Sequence, residues 1–235
     1  MDIKAAQDRH DRATVRSKKL YCPSIWGWLF LLFVTGCVAT EPMMKEPVTV
    51  NPPESKTQTV THLDNGRKGF VVSENPVSTE SWQTDFDRSV FLMQNGRETD
   101  AIPILEEIVS QSPGVTAPYI NLAIAYSHAE RFKQAEELLK TALQLVPDHP
   151  VANNEYGLLL RQTGRFEEAR QVYEETLNSF PEYSPVRRNL GILCELYLRD
   201  SACALEQYSA YIEANPDDED VAVWIADLNL RKGRN

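Results

Sequence analysis

Four cysteines and four histidines are the residues of this 235-residue chain with most scope for chemistry. His10, His62, His128 and His149 stand far apart, and none belongs to a nucleophile–base pattern. No G-x-S-x-G, Walker or G-x-G-x-x-G segment occurs. Cys194-x8-Cys203 lacks the spacing of a metal site, and no third or fourth ligand lies near it in sequence. Asp217-Asp218-Glu219-Asp220 offers carboxylates to a divalent cation but has neither EF-hand spacing nor its glycine. That acidic run reads better as the start of a helix, where side-chain capping and the helix dipole both favour negative charge. No catalytic residue, metal ligand or bound cofactor is expected, so the chain reads as a non-enzyme.

Cys37 has a different setting. Lys4, Arg9, Arg12, Arg16, Lys18 and Lys19 precede an uncharged apolar run from Ile25 to Val34, and Thr35-Gly36 separate that run from Cys37. Ten apolar residues are about half of what a spanning helix needs, so an export leader is favoured over a membrane anchor. Residues 1–14 are long and polar for such a leader, and a start at Val15 would leave one of more usual length. The leader and Val34-Thr35-Gly36-Cys37 resemble the lipobox of bacterial lipoproteins. The resemblance implies cleavage before Cys37, acylation of that residue as the only covalent group carried, and anchoring by burial of CH2 groups. The alternative is an ordinary leader with a chance cysteine at its end. Val38 follows where inner-membrane lipoproteins of Gram-negative bacteria often carry Asp, which implies the outer membrane, facing the periplasm.

Charge narrows the partners. Residues 1–36 hold six of the 24 Lys/Arg and three of the 34 Asp/Glu, so the remainder has a formal charge of −13 against −10 for the whole chain. A nucleic-acid partner requires a basic footprint, which is absent. Broad electrostatic adhesion to anionic lipid is disfavoured for the same reason. With Cys22 in the leader and Cys37 acylated, Cys194 and Cys203 remain as an even pair in an oxidising compartment. Antiparallel helices would bring their Cα atoms within the ~4.4–6.8 Å that a disulfide needs. Two separate buried thiols are the alternative.

The elements that must position these residues fall into two parts. Residues 38–80 contain Pro42, Pro47, Pro52, Pro53 and Pro76 among Thr, Ser, Glu and Lys, which reads as a flexible tether. A stretch of that length spans roughly 35 Å. Within it, Asp64-Asn65-Gly66 between Thr59–Leu63 and Arg67–Val72 is a hairpin signal. Beyond Trp82 a period appears. Pro113, Pro147, Pro181 and Pro216 are spaced by 34, 34 and 35 residues. Twelve residues before each lies Ala101, Ala135, Ala169 or Ala204, and a further 12 or 13 back lies Ser89, Ala123, Gly157 or Gly191. Tyr119, Leu122, Tyr126, Leu139, Asn153, Tyr156, Leu160, Tyr173, Arg187, Leu190, Cys194 and Tyr208 fall in the same register.

These positions resemble tetratricopeptide (TPR) repeats over residues 82–232. The resemblance implies an all-α solenoid of helical hairpins, with about four repeats and a closing helix. The expected organisation is a leader 1–36, Cys37 and tether to 81, repeats 82–115, 116–149, 150–183 and 184–218, and a capping helix and tail 219–235. Trp224, Ile225 and Leu228 would face inward from that last helix. In TPR proteins certain first-helix positions line a peptide groove. Here they are Phe86, Val90, Ile120, Ile124, Ser127, His128, Leu158, Arg161, Arg188, Ile192 and Glu195, with Asp87, Asn121, Glu155 and Asn189 beside them. An apolar groove with polar rims would suit an extended segment or an amphipathic helix. The resemblance implies a membrane-anchored envelope adaptor with a protein partner. Lipoproteins of this kind serve pilus assembly, outer-membrane assembly and peptidoglycan hydrolases, and the segment from Ala204 to Leu228 resembles short TPR proteins of TonB-type systems. An accessory or weak enzyme of peptidoglycan remodelling and a self-associating spacer are the other readings, and oligomeric state is left open.

Overall fold

A computed structural model describes residues 59–63, 69–74 and 81–233, all within one compact unit. Residues 1–36, Cys37 and the Asp64-Asn65-Gly66 turn lie outside the described residues. The described elements are two strands, β1 (Thr59–His62) and β2 (Phe70–Ser73), and then nine helices. These are α1 (Ser81–Gln94), α2 (Glu98–Gln111), α3 (Thr116–His128), α4 (Phe132–Leu145), α5 (Pro150–Gln162), α6 (Phe166–Ser179), α7 (Ser184–Leu193), α8 (Ser201–Ala214) and α9 (Glu219–Lys232). Helices α1 to α8 pair as four consecutive hairpins, and α9 packs on α8. The first helices of the hairpins, α1, α3, α5 and α7, also touch one another from repeat to repeat and form one inner row.

The small residues of the period explain the pairing. Gly157 on α5 faces Tyr173 on α6, and a Cβ built on Gly157 would lie 2.3 Å from the tyrosine ring. Gly191 on α7 faces Tyr208 on α8 in the same way, at 2.4 Å. Both rings are fully buried. At the equivalent positions the first two hairpins carry Ser89 with Leu105 and Ala123 with Leu139, all buried. The smallest residue therefore stands opposite the largest, and slightly larger ones stand opposite leucine. Interiors pack at near-crystal density, so such volumes must match.

Each first helix ends on a residue with left-handed backbone: Gly96 (φ 71°), Glu130 (φ 58°), Gly164 (φ 81°) and Arg199 (φ 57°). Three of these turns close by the same bond, from the residue after the left-handed one back five positions, as in Arg97 N–H to Leu92 C=O. The fourth hairpin has one extra residue. It is absorbed in a π turn, Cys194–Leu198, that extends α7, and Asp200 N–H closes on Cys194 C=O six positions back. A disulfide joins Cys194 to Cys203 with Cα atoms 5.9 Å apart, pinning the start of that turn to the first turn of α8. Tyr197, within the turn, lies 4.7 Å from Phe166 and docks it on the preceding hairpin. At the C-terminus Asp218 caps α9 by accepting from Val221 N–H at 3.2 Å, and Val221 and Leu228 are its buried residues. Trp224 and Ile225 pack partly buried beside them.

The expectation of a free tether up to residue 81 is corrected in part. Strands β1 and β2 pair antiparallel, with His62 opposite Phe70 and Val60 opposite Val72. The second strand is described over Phe70–Ser73, and it lies against the solenoid. Phe70 is edge-on to Phe180 (5.6 Å) and Tyr183 (5.4 Å), so burial of aromatic surface offsets the entropy that a free tether would keep.

The Cys194–Cys203 loop is short, so its closure stabilises by about 2–3 kcal/mol. The Cys194→Ser, Cys203→Ser chain is expected to unfold at lower urea concentration by that amount. Reductant should lower the midpoint of the natural chain and leave that of the variant unchanged.

Candidate partner-binding groove

The inner row of α1, α3, α5 and α7 is the surface on which the sequence placed a groove, and the structure divides its residues into two kinds. Phe86 (2% exposed), Ile120 (3%), Leu158 (7%) and Ile192 (9%) are buried. Val90 and Ile124 are partly buried against the core of the first two hairpins. These apolar side chains pack the inner helices together, because each inner helix contacts its own partner and its inner neighbours at once. The expected apolar groove lining is therefore corrected: most of it is core. Asn121 is partly exposed, with its side-chain amide donating to Ala117 C=O at 2.9 Å within its own helix. His128 Nδ1 lies 3.0 Å from Glu98 Oε1, which ties the end of α3 to the start of α2, where the two helix dipoles favour a basic and an acidic group respectively.

The second kind is polar and concentrated on the third and fourth hairpins. Arg161 and Arg188 are each only 8% exposed. Asn189 Nδ2 donates to Asn154 Oδ1 at 2.9 Å across the hairpins, and Asn154 Nδ2 donates to Glu155 Oε1 at 3.1 Å, all within buried residues. The Arg188 guanidinium lies over the Trp224 ring at 5.2 Å, with its Nε 3.8 Å from Asp218 Oδ2. Glu195 accepts from the Tyr208 hydroxyl at 3.1 Å and pairs with Arg231 of the closing helix. The inner face thus changes from apolar packing at α1 and α3 to a hydrogen-bonded network of amides and charges at α5, α7 and α9. Asn154 and Trp224 were not assigned to it from the sequence. Asn154 stands 34 residues after Ile120 and 34 before Arg188, both placed on the inner face from the sequence, and that register is the signal that marks it.

The chemistry available is recognition by donors and acceptors. Burial, and then Glu195, raise the Tyr208 phenol pKa above its ordinary value, and burial does the same for Tyr183. Tyr126 is pushed up to about 12 by burial and by its bond to Glu106. These hydroxyls stay protonated near neutral pH, and those of Tyr208 and Tyr126 donate to Glu195 and Glu106. Among the described residues no cluster of His, Cys, Asp and Glu could hold a metal ion. No helix among the described residues is long and apolar enough to cross a membrane.

Helical hairpins at a 34-residue period, stacked through a small-to-large contact around an inner row, define a TPR solenoid, and comparison with known proteins agrees. Residues 92–152 and 128–193 match the tetratricopeptide repeat family model, so the chain carries TPR repeats over that stretch. It is 28% identical over 175 residues to the type IV pilus assembly protein PilF of Pseudomonas aeruginosa, covering 69% of this chain and 68% of that protein. The solved structure of Pseudomonas aeruginosa PilF superposes with a TM-score of 0.60 at 25% identity, over 65% of this chain and 69% of that one. A thermophilic TPR protein of Thermus thermophilus shares the fold, with a TM-score of 0.59 at 22% identity, over 64% and 82% of the two chains. The probable glycosyltransferase SPINDLY of Petunia hybrida is 26% identical over 127 residues, which is 54% of this chain and 14% of that protein.

One group near the inner row makes stability depend on pH. His149 caps α5 by accepting from Ala152 N–H at 3.4 Å, and burial holds its pKa down at about 4. The unfolded chain, with an ordinary imidazole, binds more protons between about pH 6.5 and 4, so stability should fall as pH drops through that window. The full difference is about 3 kcal/mol. Glu136, held at about 2 by Lys140 and Arg165, acts only at lower pH. His149→Asn keeps a cap and should flatten the loss across the same window in urea unfolding.

Proposed function

We propose that this chain is a lipid-anchored, non-catalytic adaptor of the bacterial envelope that holds a protein partner in type IV pilus assembly. The observation that carries the reading is the likeness to the pilus assembly protein PilF, which extends over more than two thirds of both chains. The inner face supports it. Arg161, Arg188 and the Asn154–Asn189 pair are buried and hold the inner helices rigid, while Asn121, Ser127, His128 and Glu195 stay partly exposed there and suit the polar backbone or side chains of a peptide. The remainder after residue 36 is strongly acidic, which fits a protein partner and disfavours nucleic acid. Anchoring rests on the leader and Cys37, with residues 38–58 as the link to the solenoid. An acyl anchor and a rigid repeat array together would hold a partner at a fixed membrane surface, which is the physical work of an assembly factor.

The test is crosslinking in the native envelope followed by mass spectrometry. Three chains are compared: the natural one, Cys37→Ser, and Asn121→Arg, Ser127→Arg. The last fills the inner face from two partly exposed positions without removing a core side chain. Pilus assembly proteins captured by the natural chain and reduced at least tenfold in both variants, with helical content unchanged, are the expected result. Capture of cell-wall hydrolases alone, or only of further copies of this chain, would contradict the assignment.

A further inference from the structure

The pair of strands before the repeats alternates in register. Phe70 and Val72 are partly buried while Val71 and Ser73 are exposed, so Phe70, Val72 and Glu74 share the face toward the helices. Val60 and His62, opposite Val72 and Phe70, stand on the same face. A two-stranded pair is marginal in water by itself, so this face is what holds it. Its two ends grip two different turns of the solenoid. At one end Phe70 meets Phe180 and Tyr183 edge-on, while His62 stacks on Phe180 at 4.8 Å with its Nδ1 3.2 Å from Glu182 Oε1. These residues form the turn that leads into α7. At the other end Glu74 Oε1 accepts from Thr116 N–H at 2.9 Å and from the Thr116 hydroxyl.

That second contact has a clear physical consequence. The N-cap position of α3 is Val115, which has no side-chain oxygen to offer the first amides of the helix. Glu74, 42 residues earlier in the chain, supplies the missing acceptor and places a negative charge at the positive end of the helix. The two gripped turns open α3 and α7, two repeats apart. Strand β2 advances ~3.3 Å per residue, so Phe70 to Glu74 covers about 13 Å, and the side chains reach the rest. The recognition elements are an aromatic anchor in an aromatic notch, an aliphatic residue two positions on, and a carboxylate two beyond that, on a helix start. The strand that carries them belongs to no repeat and is flanked in sequence by Pro52, Pro53 and Pro76, so it is tied on rather than built in.

We propose that the turn edge of the solenoid is a binding site, separate from the inner groove, for an extended segment of pattern aromatic-x-aliphatic-x-acidic, and that the chain's own strands Thr59–His62 and Phe70–Ser73, with Glu74, occupy it in cis. A covalently linked occupant acts at an effective concentration in the millimolar range, so modest intrinsic affinity suffices to keep the site closed. A partner segment of the same pattern binds by displacing the strap, with an apparent affinity lowered by the fraction of chains in which the site is open. Displacement frees Phe180 and Tyr183 for the partner and lengthens the link between the solenoid and whatever precedes residue 59.

The experiment uses the full chain and a fluorescent synthetic peptide of residues 59–74. Phe70→Ala, Glu74→Ala releases the strap from both grips without touching a helical residue. The peptide is expected to bind this variant at least tenfold more tightly than the natural chain, by fluorescence anisotropy. The Thr116 amide should exchange with solvent faster in the variant and slow again when peptide is added. Glu74→Ala alone, which removes no apolar contact, gives the same amide readout if the double variant loses helical signal. Equal binding to both chains, or no binding to the variant, overturns the proposal, as does a Thr116 exchange rate that ignores Glu74.

Discussion

The contact between a small residue on the first helix of each hairpin and a large one on the second governs this molecule. Where Gly157 and Gly191 leave room, Tyr173 and Tyr208 lie flush against the backbone of the facing helix, and nothing larger than hydrogen fits at the glycine. Where the first helix carries Ser89 or Ala123, the facing residue is Leu105 or Leu139. The hairpins can therefore repeat with one geometry although their side chains differ. That repetition aligns α1, α3, α5 and α7 as an inner row and sets all their starting turns along one edge. The inner face and the turn edge are both consequences of it, and each can present groups to a partner only because the spacing beneath is fixed.

The two halves of the array are stabilised differently. The core of the first two hairpins is aliphatic and aromatic, whereas that of the last two includes three buried tyrosines, a disulfide and an inner polar network. Tyr156 packs against both cores and joins them. Buried amides and charges that satisfy one another restrict side-chain freedom, and a rigid, polar inner face discriminates between partners more sharply than an aliphatic one. The disulfide belongs to the same half. It sits where the repeat has an extra residue and holds the π turn that absorbs it, so the last hairpin keeps its register with α9 despite the insertion.

Much of the fold was legible in the sequence because a 34-residue period with small residues at fixed places has few other physical meanings. The hairpin arrangement and the acidic cap of α9 follow from local spacing and chemistry. The inner face was legible in position but not in character. Periodicity puts Ile120, Leu158 and Ile192 on the inner side of their helices, yet only the crossing of neighbouring helices decides that they are buried. The polar half escaped in part because Asn154 and Asn189 matter through a contact between hairpins, and local pattern carries no distance information. The strap was least legible. Its strands are short and its contacts run 42 to 120 residues along the chain, from Glu74 to Thr116 and from His62 to Glu182. Proline-rich composition around it points to a free tether, and the aromatic notch that overrides that tendency is made by residues of distant turns.

A double-mutant cycle on the third hairpin tests the governing contact most directly. Gly157→Ala alone forces a methyl group into the Tyr173 ring, and Tyr173→Leu alone leaves a gap; each should cost about 1–3 kcal/mol. Together they recreate the Ala123–Leu139 pairing of the second hairpin. The double variant is expected to be more stable than the sum of the single changes implies, by at least ~1 kcal/mol in urea unfolding. Additive losses, within about 0.5 kcal/mol, would show that the two positions do not share the space assigned to them and would contradict the account.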